Sequence, residues 1–243
     1  MKFYRCPGPV KVVSFDLDDT LYDNAPVIGA AEVWFANLLT DRYQLPALCR
    51  EVSFWKEEKL KTQERQPELA NDVTLLRAQA LVDTFLHLHC PLKGGLDEGL
   101  ALTAEFVVQR SKIKVPQSSL ELIAYLRKFV PVAAVSNGNV NLQGSGLDGA
   151  FDFELRPSVQ EGCRRKPYPD LYLKLAAKYQ VSPGEILHVG DECGTDLLGA
   201  CRAGAQAAWL KGGIAGRCAT ALLPGCLPMV ELDDLQELRA FFH

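Results

Sequence analysis

The chain has 243 residues, 48% of them hydrophobic, which is enough for a large buried core and too much for a disordered polypeptide. A formal charge of -4, a pI near 5.6 and the lack of any long basic stripe exclude nucleic acid as an expected partner. No apolar run approaches the ~20 residues that cross a bilayer, so no membrane partner is expected, and nothing in the chain speaks to its oligomeric state.

The opening stretch MKFYRCPGPVKVV lacks the small-residue cleavage site of a signal peptide. Its last residues join KVVSF, the first predicted strand. Directly after that strand, FDLDDTLYDN sets four carboxylates, Asp16, Asp18, Asp19 and Asp23, within eight positions. A calcium loop spaces acids in this way, but counted from Asp16 its sixth position is Leu21 and its twelfth Val27, where glycine and glutamate are required. On this stretch alone a solvated acidic turn and a functional cluster both stay open.

Residues 25 to 111 read as helices only, as in PVIGAAEVWFANLLTDRYQL and DVTLLRAQALVDTFLHLH. The mixed charge run KEEKLKTQERQPE reads as a solvated helix face. His87 and His89, two apart, would face different ways on a helix, and four dispersed histidines make no metal cluster.

From residue 112 strands and helices alternate. SSLELIAYLRKF is a helix with a serine cap, VPVAAVS a strand and FDFEL a weaker one. PDLYLKLAAKYQ is a helix, EILHVG a strand, DLLGACRAG a helix ending on glycine, AQAAWL a strand, and LDDLQELRAFF a final helix. This order predicts an α/β fold, a doubly wound parallel sheet of Rossmann-like type. Residues 1–24 and 112–243 form that core domain, and 25–111 form an inserted α-helical cap domain. The stretch KGGIAGRCATALLPGCLP carries no functional reading.

Ligands of such sheets bind beyond the carboxyl ends of the strands, where Asp16 would sit. Three later stretches fall at comparable places. AVSNGN sets Ser136, Asn137 and Gly138 after a strand, where a hydroxyl and backbone N–H groups can hold a phosphate. RRKPYPD offers Lys166 as a cation, with Arg164 and Arg165 as rivals. HVGDECGTD ends another strand with Asp191, Glu192 and Asp196, a second acidic cluster that could share a hard divalent cation with the first. By contrast GSGLDG, residues 144–149, matches a dinucleotide-binding motif by chance, because no helix is predicted to open from it. The eight cysteines, at 6, 49, 90, 163, 193, 201, 218 and 226, include no C-x-x-C pair. Reduced thiols in the cytoplasm are their simplest account.

Asp16-x-Asp18-x-Thr20, Ser136-Asn137-Gly138, Lys166-Pro167 and Gly190-Asp191…Asp196, in that order at strand ends, resemble the haloacid dehalogenase (HAD) superfamily, in its branch with a helical cap between the first two motifs. A narrower similarity, carried by FYR…FDLDDTLYDN, DVTLLR, SNGN, Leu155-Arg156 and GEILHVGD, is to bacterial flavin mononucleotide phosphatases. That group also acts on 5-amino-6-(5-phospho-D-ribitylamino)uracil, a riboflavin precursor. The chain departs from it in the loop PSVQEGCRR and at Glu192, where an aspartate is expected.

The resemblance implies a Mg2+-dependent phosphatase of a small phosphate monoester. Asp16 would be the nucleophile and Asp18 the acid and base, with Lys166 supplying positive charge. Ser136, Asn137 and Thr20 would lie at the phosphate, with Arg77 of DVTLLR as a cap cation for substrate. Asp16, Asp18 (through its carbonyl), Asp191 and Asp196 would form the metal site, Asp196 orienting bound water. Asp19 and Asp23 are left as solvated turn positions. Trp34, Phe35, Phe54 and Trp55 are expected to pack the cap, with stacking on a flavin ring as the alternative. A sugar or nucleotide phosphatase, a phosphomutase sharing Asp16 and Asp18, and a binding protein on the same scaffold are the rival functions.

Overall fold

The computed structural model of the chain describes residues 1–217 and 221–242. It divides into two compact units. One comprises Met1–Asn24, Ile113–Gly138 and the described residues from Leu142 onward; the other comprises Ala25–Lys112 with Asn139–Asn141.

The first unit is built on a seven-stranded sheet. Its strands are β1 (Lys2–Phe3), β2 (Val12–Phe15), β3 (Val132–Val135), β4 (Phe153–Leu155), β5 (Ile186–Gly190), β6 (Gln206–Leu210) and β7 (Val230–Leu232), in spatial order β1-β7-β6-β5-β2-β3-β4. Only the β1–β7 pair is antiparallel. β2, β3 and β5 are buried at every position, which is why they read in sequence as continuous apolar runs rather than alternating ones. The short β1 and β7 were not visible in the sequence: two or three residues carry no period of their own.

Register fixes where the chemistry-bearing loops emerge. Phe15 lies opposite Ala134 on one side and Val189 on the other, so Asp16, Ser136 and Asp191 leave the same edge of the sheet. Helices α5 (Gln117–Leu126), α6 (Asp170–Tyr179) and α7 (Leu198–Ala203) connect the strands. α7 closes on Gly204 at φ +78°, the left-handed position that a helix C-terminus asks of glycine. The helix expected over DLLGACRAG is in fact two pieces, a π-turn over Cys193–Leu197 and then α7. The amides of Asp196 and Leu197 both reach back to the Glu192 carbonyl, and the widened turn rotates Asp196 into the interior. The last segment, Leu235–Phe241, is 3₁₀ rather than the α-helix expected; Asp234 caps it by accepting from the Gln236 amide.

The second unit is helical: α1 (Ala25–Tyr43), α2 (Val52–Arg65), α3 (Val73–His87) and α4 (Gly95–Arg110). Asp72 starts α3 by accepting from the amides of Thr74 (3.1 Å) and Leu75 (2.9 Å). Phe35, Leu39, Trp55, Leu81, Phe85 and Phe106 form its core. Of the four cap aromatics, Phe35 and Trp55 are buried there and Trp34 stacks on Phe35, so packing is the role they fill within this unit. No described helix is long and apolar enough to cross a membrane.

Candidate active site

Asp16, Asp18, Asp19, Ser136, Asn137, Gly138, Lys166, Asp191, Glu192 and Thr195 line one cleft at the carboxyl ends of β2, β3 and β5. Lys166 is its hub. The ammonium donates to Asp16 Oδ1 and to Asp196 Oδ1, both at 2.6 Å, and to the Val135 carbonyl at 2.9 Å. Only 2% of the residue is exposed. Arg164, the rival cation, is exposed, paired with Asp170 and laid over the Tyr168 ring; Arg165 is exposed too.

The charges in this cleft do not balance. The carboxylates of Asp16, Asp191 and Asp196 offer oxygens within 4.8 Å of one another, and all three residues are buried. Burial pushes the Asp16 carboxyl up to about 8, against the pull of Lys166, while the Asp196 and Asp18 carboxylates add to the rise. Asp196 goes the other way. Burial would raise it, but the Lys166 charge and the His188 hydrogen bond more than offset that and hold it well below the usual carboxylate range. Burial likewise works against the Lys166 charge, and the two aspartates override it and raise its pKa. One lysine against three carboxylates leaves room for a further cation, and hard oxygen donors are the set that a small divalent ion prefers.

Each carboxylate is oriented by a neighbour. Thr20 Oγ1 donates to Asp191 Oδ1 at 2.7 Å, so the threonine serves the second acidic cluster. The Trp209 indole N–H donates to the Asp191 carbonyl at 2.9 Å. The amide of Glu192 donates to Asp196 Oδ2, while its side chain stays exposed. With Lys166 and His188 on Oδ1 and this amide on Oδ2, Asp196 is a brace of the site more than a bare metal ligand.

Asp18 lies beside the turn after β3. A β-carbon at Gly138 would come within 2.6 Å of Asp18 Oδ2, so the glycine is required by that approach. The Tyr22 hydroxyl donates to Asp18 Oδ1 at 2.5 Å. Ser136 is buried, and its Oγ accepts from the Gly138 amide at 3.0 Å, closing the SNG turn. Asn137 is turned toward Lys166: its amide donates to the Lys166 carbonyl (3.0 Å) and its Oδ1 accepts from the Lys166 amide (2.9 Å). Asn137 therefore holds the lysine segment while lining the same cleft.

Asp19 and Asp23 are not merely solvated. Asp19 adopts φ +60°, accepts from the Asn24 amide at 3.0 Å and receives the Ile214 N–H on its own carbonyl at 2.8 Å. Asp23 pairs with Arg217. Both acids therefore shape the loop and tie it to the stretch after β6. Arg77 belongs to the helical unit, where Glu32 pairs with it at 2.7 Å and its guanidinium lies 3.6 Å from the Phe106 ring centre. The GSGLDG stretch forms a turn in which Asp148 accepts from the amides of Gly144 and Gly146; no helix opens from it.

Three functional neighbours were not singled out in the sequence. Ser14 and His188 face each other across β2 and β5, 2.9 Å apart, and His188 Nε2 lies 3.3 Å from Asp196 Oδ1. A carboxylate only accepts, so Nε2 carries the proton and the Ser14 hydroxyl donates to Nδ1. Burial holds the His188 pKa down and keeps the ring neutral. The signal was a lone polar residue in each of two otherwise apolar strands. Tyr22, the third, lay four positions after Asp18 and read as part of the turn.

A family model described as haloacid dehalogenase-like hydrolase matches residues 10–204. Over 215 residues the chain is 37% identical to the 5-amino-6-(5-phospho-D-ribitylamino)uracil phosphatase YigB of Escherichia coli, covering 87% of each. It is 27% identical to a phosphoserine phosphatase of Thermus thermophilus, covering 94% of this chain and 98% of that one. Among solved structures, a 2-haloacid dehalogenase from Pseudomonas syringae superposes with a TM-score of 0.78 at 25% identity, over 95% of this chain and 97% of that one.

Proposed function

The chain belongs to the haloacid dehalogenase-like hydrolases and is a phosphatase of that family; on that premise we propose that it cleaves a small phosphate monoester through an aspartyl-phosphate on Asp16, with Mg2+ as cofactor. The observation that carries this reading is the placement of Asp18 in the cleft with Asp16, Lys166 and Asp191. A dehalogenase needs no proton for its leaving group, whereas an alkoxide leaving a phosphate does.

Asp16 attacks phosphorus and divides a hard hydrolysis into two steps. Asp18 protonates the leaving alkoxide and then takes a proton from the water that attacks the phosphoenzyme. Lys166 and the backbone amides of the SNG turn meet the phosphoryl oxygens, with Ser136 holding that turn closed. Asp16, Asp191 and the Asp18 carbonyl would hold Mg2+, which when bound supplies the positive charge that offsets repulsion between a carboxylate and a phosphate dianion. Asp196 keeps Lys166 in place between two carboxylates.

For substrate we propose flavin mononucleotide or 5-amino-6-(5-phospho-D-ribitylamino)uracil, on the likeness to the Escherichia coli phosphatase named for the latter. A cytoplasmic setting goes with that substrate and with cysteines that show no secreted framework in sequence. Inorganic phosphate release from these two compounds, beside sugar and nucleotide phosphates, with and without Mg2+, tests the proposal. Mg2+-dependent release led by the flavin-pathway compounds and lost in Asp16→Asn supports both parts. Release led by other phosphates discards the substrate and keeps the chemistry. Undiminished release by Asp16→Asn removes the nucleophile.

A further inference from the structure

We propose that Cys201 and Cys226 are a modification site, a thiol pair that closes to a reversible disulfide on exposure to a peroxide. Cys201 sits on α7 and Cys226 on the turn before β7, 25 positions apart, yet their sulfurs are 3.1 Å from each other. Non-bonded heavy atoms usually rest at roughly 3.5–4.0 Å, and a disulfide bond needs ~2.05 Å, so about 1 Å of movement joins them.

The surroundings give the two thiols different tasks. Gly225, at φ +78°, makes the tight turn in which the Cys226 amide donates to the Leu223 carbonyl, and the turn delivers Cys226 into the core cluster that also contains Leu197 and Ala200. Cys226 is 3% exposed, whereas Cys201 is half-buried and open to a small oxidant. The Cys226 thiol donates to Cys201 Sγ, and burial together with that bond pushes the Cys226 pKa up to about 12, so Cys226 keeps its proton until it reacts.

The chemistry balances with hydrogen peroxide as the oxidant. Cys201 sulfur takes one peroxide oxygen, giving a sulfenic acid and one water. Cys226 sulfur then attacks that sulfur; the S–O bond breaks, the S–S bond forms, and the departing hydroxide leaves with the Cys226 proton as a second water. Two thiols are oxidised by two electrons, and a dithiol reductant reverses the step.

The bridge would add a covalent tie between α7 and the turn before β7. After β6 the chain returns Ile214 N–H to the Asp19 carbonyl and Arg217 to the Asp23 carboxylate. Cys226 itself lies against α7, the helix continuous with the turn that carries Asp196.

The test treats the full chain with a small molar excess of hydrogen peroxide, alkylates remaining thiols and maps the products by mass spectrometry. The expected product has a mass lower by two hydrogens, a Cys201–Cys226 crosslinked peptide that dithiothreitol abolishes, and a melting temperature higher by roughly 5–10 °C. In Cys226→Ser the crosslink is absent and Cys201 stops at a sulfenic acid that dimedone captures. Alkylation of both Cys201 and Cys226 after peroxide, or a bridge from either one to any other cysteine, would overturn the proposal. The wild-type map decides the matter even where a variant folds poorly.

Discussion

Gly190 makes room for Asp196: a β-carbon on Gly190 would lie 2.5 Å from both Asp196 Cβ and Oδ2, a separation that real atoms do not adopt. Asp196 in turn holds Lys166 at 2.6 Å, so a hydrogen at the end of β5 sets the position of the buried cation. Gly190→Ala is expected to lower phosphate release ~100-fold by displacing that network, and to cost about 1–3 kcal/mol of stability through overpacking. Gly194→Ala is the control, since a β-carbon there would meet Glu192 Oε1 at an acceptable 3.4 Å. Phosphate release and thermal unfolding of both variants check this. Equal behaviour of the two would show that Asp196 can shift without consequence.

Tyr22 is fully buried and spends its one hydroxyl on Asp18 Oδ1. Tyr22→Phe keeps the ring and removes the hydroxyl that makes that bond, a loss of about 1.5 kcal/mol. With Asp18 less firmly oriented, kcat is expected to fall roughly 10-fold while KM for the phosphate ester stays within about twofold. Steady-state kinetics at saturating Mg2+ read both constants. An unchanged kcat would confine the hydroxyl to a folding role.

The sheet was legible because its central strands are apolar but for Ser14 and His188, and the acids at their ends were legible because a run such as Asp16-x-Asp18 interrupts that apolarity abruptly. What stayed hidden depends on three-dimensional neighbours. Ser14 and His188 are 174 positions apart and acquire meaning only through the β2–β5 register. The match of the Asn137 side-chain amide to the backbone of Lys166, 29 positions on, is likewise invisible in sequence. The π-turn that rotates Asp196 inward leaves no trace in a helical periodicity, because one extra residue shifts the phase and does not erase it. Arg77 and Glu32 found each other across α1 and α3, a pairing no local pattern encodes.

That pair makes the helical unit sensitive to acid. Burial alone would raise the Glu32 pKa, but the hydrogen bonds and charge of Arg77, with Lys59 and Lys56 adding, bring it below the ordinary 4.5. A folded-state pKa depressed below the unfolded one contributes stability that is complete above 4.5 and is lost as pH falls through the folded value. Glu32→Gln is therefore expected to be less stable at pH 7, by about 1.5 kcal/mol where a part-buried guanidinium loses its charged partner. It should also show a shallower fall in melting temperature between pH 5 and pH 3. Parallel pH curves for wild type and variant would mean that Glu32 does not titrate differently on folding.

Thr20 reaches across to Asp191 Oδ1 at 2.7 Å, joining the first acidic loop to the second. A threonine hydroxyl in that position fixes which Asp191 oxygen faces the cleft and restrains its rotation, as outer partners of metal ligands do. Thr20→Val preserves shape and removes the donor. The Mg2+ concentration for half-maximal phosphate release is expected to rise at least ~10-fold, with kcat at saturating Mg2+ little changed. Because the Asp16, Asp191 and Asp196 cluster sets three carboxyl groups against one lysine, Mg2+ should also raise the melting temperature of the wild-type protein without any substrate, and chelation should reverse that gain. The same thermal titration on Thr20→Val should need correspondingly more Mg2+, a readout independent of turnover. Identical Mg2+ titrations for the two proteins, by activity and by unfolding, would remove Thr20 from the metal's support and leave its hydrogen bond a fastening between β2 and β5 alone.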